Sequence, residues 1–388
     1  MAVSVVRMTP FRIDIPQADL DDLRARLAGT RWTRQLPGDG WSRGVPLDYL
    51  RELADSWANG YDWRAHEARL NEFPQFHTEI DGLDVHFLHV RSPEPDALPL
   101  ILTHGWPNSF VEFTEVIGPL TEPAKYGADS AQAFHVVVPS VPGFGFSQAP
   151  PETGFTINRV ARMWAELMRR LGYDRYGIQG GDLGAYIAPE VAAVDPEHVV
   201  GVHIDGGFGF PTEADVPGMT AAERAEWEQM QQWMSGVDHH ALLRAAPQTF
   251  AYAWNDSPVG LLAWMIQKFK EFAFMVSTPE QAIDRDLILT NASLYWFTDT
   301  AGTSSWPMYE RMTVAGDGSF VWPKGQKRVP SGVYGGGSTL MRRLAERDNT
   351  IVHWPESNPG NHFVAMEVPQ THAADIRAFF GKLAVSTG

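Results

Sequence analysis

The most constraining feature of this chain is a recurring unit: a short apolar run that ends in glycine and gives way to a helical pattern. It occurs as LPLILTHG (98–105), FHVVVPSVPGFG (134–145), YGIQGGD (176–182) and VVGVHIDGG (199–207). Unbroken apolar runs of this length suit strands covered on both faces. Helices between successive strands predict crossovers, and so an α/β fold built on a mostly parallel central sheet. Ahead of these units, FHTEI and LDVHFLHV alternate around Asp81-Gly82, which predicts a β-hairpin.

The pattern changes after residue 210. From about 211 to 310 the chain has helical periodicity rich in Trp and Met, as in AERAEWEQMQQWM and VGLLAWMIQKFKEFAFM. Strand runs return in KRVPSGVYGGG (327–337) and NTIVHWPE (349–356), and ADIRAFFGKLA predicts a closing helix. The expected organisation is an N-terminal part over 1–95, a core over 96–210, a helical lid over 211–310 and the rest of the core over 311–388. An insertion between consecutive strands of such a sheet is placed to cover the strands' C-terminal ends, where ligands bind.

Charge narrows the partners. The formal net charge is −16 and the chain has no Lys/Arg-rich run, so nucleic acid is not expected. No window approaches the roughly 18 apolar residues of a membrane span, and the N-terminus has no signal-peptide core, so the expected location is the cytoplasm. The absence of cysteine excludes disulfides and thiolate chemistry. Histidines at zinc-hydrolase spacing, a phosphate-binding loop and a dinucleotide fingerprint are lacking, so no metal or cofactor is expected. With 14 Trp and 21 Phe, the chain has aromatic side chains to spare for an apolar pocket; Trp106, Trp233 and Trp254 are candidates for substrate contact.

Three strand ends carry the chemistry. GGDLGA (180–185) has the small-x-nucleophile-x-small form of a strained elbow that holds its central side chain above a sheet. Here the centre is Asp182. A carboxylate is ionised at neutral pH without a base and suits displacement at a saturated carbon, leaving an ester that water must hydrolyse. His362 in NPGNHF would deprotonate that water. The backbone amides of Leu183 and of Trp106, in HGWP, would hold the oxyanion. Taken singly, Asp182 could equally cap a helix, and His362 could be structural; all three turns in order are far more specific.

HGWPNSF, GGDLGA, NDSPVGLLAWMIQKF, LYWFTDTAGTSS and GNHFVAMEVP together resemble the epoxide hydrolases of the microsomal type, and more closely their soluble bacterial branch, some of whose members act in secondary metabolism. The resemblance spans the chain. It implies the α/β-hydrolase fold, a 1–95 meander around core and lid, and a bulky apolar or aromatic epoxide as substrate. It makes Asp182 the nucleophile and His362 the base. It makes Tyr309 one of two lid acids that protonate the epoxide oxygen, with His239, or its neighbour His240, at the place of the other; a protonated imidazole would donate most readily. A second copy, as a homodimer, is the one macromolecular partner left open.

One departure stands out. The acid that orients the base histidine should follow the strand in RVPSGVYGGG, yet no carboxylate occurs between Asp317 and Glu346. Asp205, after the preceding strand, is the expected substitute, pointing at His362; its alternative is a turn residue before Gly206-Gly207. The missing acid keeps alive a non-hydrolytic or degenerate member that binds or cyclises a hydrophobic metabolite. The shared nucleophile keeps alive a haloalkane dehalogenase.

Overall fold

Asp81 and Gly82 adopt φ of 56° and 76°, the two left-handed residues of a tight hairpin turn. They join β2 (Gln75–Ile80) to β3 (Leu83–Val90), paired from Ile80↔Leu83 to Gln75↔Leu88. The computed structural model describes residues 8–129, 132–236, 238–273, 276–314 and 325–385. A short β1 (Thr9–Phe11) extends the hairpin's outer edge.

The apolar runs become β4 (Leu98–Thr103), β5 (Phe134–Pro139), β6 (Tyr176–Gly180) and β7 (Val199–Ile204). After the helical insertion come β8 (Pro330–Val333) and β9 (Thr350–His353). The nine strands lie in the order β1-β2-β3-β5-β4-β6-β7-β8-β9. Pairings are antiparallel as far as β3–β5 and parallel from β5 to β9. Leu100, Ile101, Leu102, Val136, Val137, Val138 and Ile178 are fully buried, which is why these strands show no polar alternation. The chain has the α/β-hydrolase fold.

This order fixes where the site must be. From β4 the chain moves to one side for β5, then crosses back to β6 on the other side. Ligand crevices open at the strand C-termini where order reverses in this way. The HGWP turn after β4 and the GGDLG turn after β6 are therefore neighbours.

Helices from Ala221–Gly236 to Trp306–Val314 form the insertion between β7 and β8. The N-terminal segment is fastened to it by hydrogen bonds from Trp57 Nε1 to Ser293 Oγ (2.8 Å) and between Tyr61 Oη and Thr290 Oγ1 (2.9 Å). Arg26 pairs with Asp256 at 3.1 Å. Among the described residues no helix is long and apolar enough to cross a membrane.

Candidate active site

Asp182 has φ 50° and ψ −118°, a region that L-residues enter at a cost of roughly 1–3 kcal/mol. The surrounding glycines explain how the turn holds it there. A Cβ on Gly184 would overlap the Thr103 carbonyl, and one on Gly180 would overlap the Gly184 backbone. The small-x-Asp-x-small pattern thus records two backbone contacts that no side chain could share.

The two carboxylate oxygens are divided between two sets of partners. Oδ1 accepts hydrogen bonds from the amides of Trp106 (2.9 Å) and Leu183 (2.7 Å). Oδ2 lies 3.2 Å from His362 Nε2. Burial pushes the Asp182 carboxyl up, but the His362 bond and charge, with the two amides, outweigh it and hold it at about 2. The group is an anion across the physiological range. The His362 ring is stacked on Phe272 (4.4 Å, 24°) and meets the edge of Phe363 (4.8 Å, 85°).

A cavity of about 190 Å³ opens above this pair. Asp182, His362, Phe272, Met308 and Met312 line it. His239 and His240 are on its wall too, and His239 stacks on Trp106 (5.4 Å, 27°). Burial pushes His239 well below the usual imidazole range and His240 down to about 4, so both rings are neutral donors at pH 7.

Several expectations are corrected. Tyr309 is not on the cavity wall; it faces a separate hollow with Ala246, Asn255 and Trp306. Met308, Arg311 and Met312 form the helix stripe turned to the cavity, and Tyr309 falls about 100° away from Met308 on that helix. Trp254 is buried behind the site, stacked on Trp264 (5.2 Å), which packs on Trp106 (5.9 Å). Trp106 is 3% exposed and contributes its amide rather than an open indole face. The Trp233 side chain lies outside the described residues.

Asp205 does not reach His362. Its Oδ1 lies 2.7 Å from His372 Nε2 and its Oδ2 accepts from Gln179 Nε2 at 2.8 Å. Burial raises the Asp205 carboxyl, yet the charge and hydrogen bond of His372 more than reverse this and keep it low. His372 comes from the closing helix Pro369–Val385, which packs on β7, and claims the carboxylate from there. In the loop after β8, where an orienting acid was sought, a side chain on Gly336 would collide with the Trp354 indole. Ser338 there caps the helix Thr339–Asp348 and bonds Glu226.

Further imidazoles and carboxylates lie behind Asp205. His203 and His353 both bond Asp375, at 2.9 and 3.0 Å. With Asp205 and His372 they make, among the described residues, the two groups spaced to hold an ion. Their Nε2 atoms already face carboxylates, and Lys382 Nζ stands 2.6 Å from His353 Nδ1, while the buried Nδ1 atoms of His203 and His372 have no hydrogen-bond partner among the described residues.

Arg311 and Tyr186, both on the cavity wall, were not singled out from sequence, and neither was Glu112. The Arg311 guanidinium stands 3.2 Å from the Tyr186 ring centroid, a stacked cation–π pair. Glu112, 4% exposed beneath the HGWP turn, has its carboxyl pushed well above the usual range by burial and by the nearby Asp205 charge. A raised folded-state value means the folded protein holds the proton more tightly than the unfolded chain. That stabilisation is complete at acid pH and is lost as pH rises above the unfolded value, by up to about 1.4 kcal/mol per pH unit. Glu112→Gln should therefore match the parent in urea titrations near pH 4 and exceed it at pH 8. A variant weaker at both pH values would show that the ionised form is the one the fold uses.

A carboxylate raised on an elbow, with two amides on one oxygen and an imidazole on the other, sits where the α/β-hydrolase fold presents a reactive side chain at its strand ends. The comparisons with known proteins narrow the class. Residues 8–113 match the epoxide hydrolase N-terminus model and residues 99–263 the alpha/beta hydrolase fold model. A Stigmatella aurantiaca protein assigned as an epoxide hydrolase is 40% identical over 381 residues, covering 97% of this chain and 85% of its own. Epoxide hydrolase 1 of Sus scrofa is 32% identical, with 96% and 88% covered. The crystal structure of juvenile hormone epoxide hydrolase from Bombyx mori superposes with a TM-score of 0.88 at 26% identity, covering 99% of this chain and 96% of that one. The chain belongs to the epoxide hydrolase family.

Proposed function

We propose that this epoxide hydrolase works in two covalent half-reactions. Asp182 Oδ2 attacks an epoxide carbon, the ring C–O bond breaks, and an ester forms on Asp182. The N–H of His239 or His240 hydrogen-bonds the departing oxygen, and that alkoxide takes a proton from solvent to become the first hydroxyl. His362 Nε2 then removes a proton from water as that water adds to the ester carbonyl. The oxyanion develops on Oδ1, between the amides of Trp106 and Leu183. Collapse of this intermediate breaks the C–Oδ2 bond, the imidazolium of His362 passes its proton to the departing diol oxygen, and the second water proton leaves to solvent as the carboxylate is restored.

The observation that carries the reading is the split of the Asp182 oxygens: one already sits in the amide pair, the other faces both the cavity and His362. The substrate follows from the walls. Phe272, Met308 and Met312 favour an apolar substituent, and a space of about 190 Å³ exceeds the roughly 150 Å³ that accepts benzene. One aromatic ring beside the epoxide fits; a bulkier substrate needs the lid helices to move. Work in the cytoplasm and in bacterial secondary metabolism is part of the same proposal, supported by the likeness to the Stigmatella aurantiaca protein.

A single turnover of styrene oxide in heavy-oxygen water tests the mechanism. The label should enter the peptide containing Asp182, with the first diol unlabelled. Label found first in the diol would mean that water attacks the epoxide directly.

A further inference from the structure

Among the described residues His362 has one hydrogen-bond partner, Asp182, and no carboxylate on the far side of its ring. Something else must hold that ring at its angle. We propose that Glu367 is the positioning residue for His362, aiming it through the backbone on either side rather than through the imidazole.

The geometry is specific. Glu367 Oε2 accepts from the Asn361 amide at 2.7 Å and from Asn361 Nδ2 at 2.8 Å. Its Oε1 accepts from the Phe363 amide at 3.1 Å. One carboxylate thus grips the residue before His362 and the residue after it. The Glu367 amide in turn donates to the Phe363 carbonyl, closing the clamp.

The other end of the loop is tied as well. Asn358 Nδ2 donates to the Tyr334 carbonyl (2.6 Å), and Tyr334 Oη donates to the Pro359 carbonyl (2.7 Å). Gly360 turns between the two anchors with φ 98°, its missing side chain leaving room for Val364 and Val368. With the backbone fixed, Phe272 and Phe363 set the ring's plane. Phe363 is itself held by Glu367, so the clamp controls both the origin of the side chain and one of its walls.

Backbone aiming supplies only half of what an orienting acid does. An acid also stabilises the imidazolium formed when water is deprotonated, and Glu367, bound to three N–H donors, does not face the ring. Ester hydrolysis is then the slower half-reaction, and the one most sensitive to small displacements of His362.

This inference rests on the two-step reading above, and the test separates the two. Quenched-flow with mass detection measures ester formation and ester loss independently in the parent, Glu367→Gln and Glu367→Ala, alongside Tm. Glu367→Ala should slow ester loss by roughly 10–100-fold while ester formation changes less than about 3-fold, so that nearly every chain carries the adduct. Glu367→Gln keeps one acceptor and sets an NH2 group against an amide, and it should fall between. If Glu367→Ala does not fold, the Gln variant alone decides. Equal slowing of both half-reactions, or loss in step with Tm, would make Glu367 a helix cap and nothing more. An unchanged rate of ester loss would also overturn the inference. A parent that never forms an ester overturns the two-step reading itself.

Discussion

Asp182→Asn should leave a folded protein with turnover reduced roughly 10⁴-fold or more. The substitution is nearly isosteric, and asparagine tolerates positive φ better than most residues, so the bend at φ 50° can persist. Its amide oxygen can still accept from Trp106 and Leu183. What disappears is the charge. A neutral amide nitrogen in place of Oδ2 has no free pair to displace an epoxide oxygen, so neither diol nor adduct should form. The pH dependence of folding supplies a control. The parent carboxyl is held at about 2, below its unfolded value of about 3.9. Its stabilising contribution is therefore present above about pH 4 and lost as pH falls toward 2, a segment the Asn variant should lack. Full activity in Asp182→Asn, with the protein mass unchanged, would remove the nucleophile from the mechanism.

His362→Gln should have an effect of similar size on turnover but opposite on the intermediate. Removing the imidazole takes away the largest influence that lowers the Asp182 carboxyl, so it rises, while the Trp106 and Leu183 amides still hold it down against burial. Ester formation therefore survives. Glutamine cannot accept the proton of the hydrolytic water, so the ester should persist and turnover stop after one equivalent. Intact-mass measurement should show the chain heavier by the mass of the epoxide. Loss of turnover with no adduct would place the histidine in the first step.

Some of this was legible in the sequence because it is local. The Asp81-Gly82 hairpin follows from two adjacent residues, and the mostly parallel sheet from four apolar runs with helices between them. The elbow is written in GGDLG because backbone collisions at Gly180 and Gly184 leave no other residue possible. The rest depends on partners far apart in the chain. Asp205 reads as a residue at the right strand end, but which histidine it meets is decided 167 positions away. Tyr309 carries the right chemistry, yet its direction depends on the helical phase of Trp306–Val314, which packing of the lid sets. His239 could be placed near the site, but its burial, and hence its neutral state, could not. Glu367 reads as an ordinary acid after a short apolar run, and nothing in its spacing announces that it reaches back to Asn361.

The Trp354 indole, seated against Gly336, also bears on how this enzyme could change. Introducing a carboxylate at that glycine means evicting a large aromatic group first, while trimming the tryptophan alone leaves a hole beside the loop. Each single change is unfavourable before the pair is complete. A carboxylate at this glycine therefore requires positions 336 and 354 to change together.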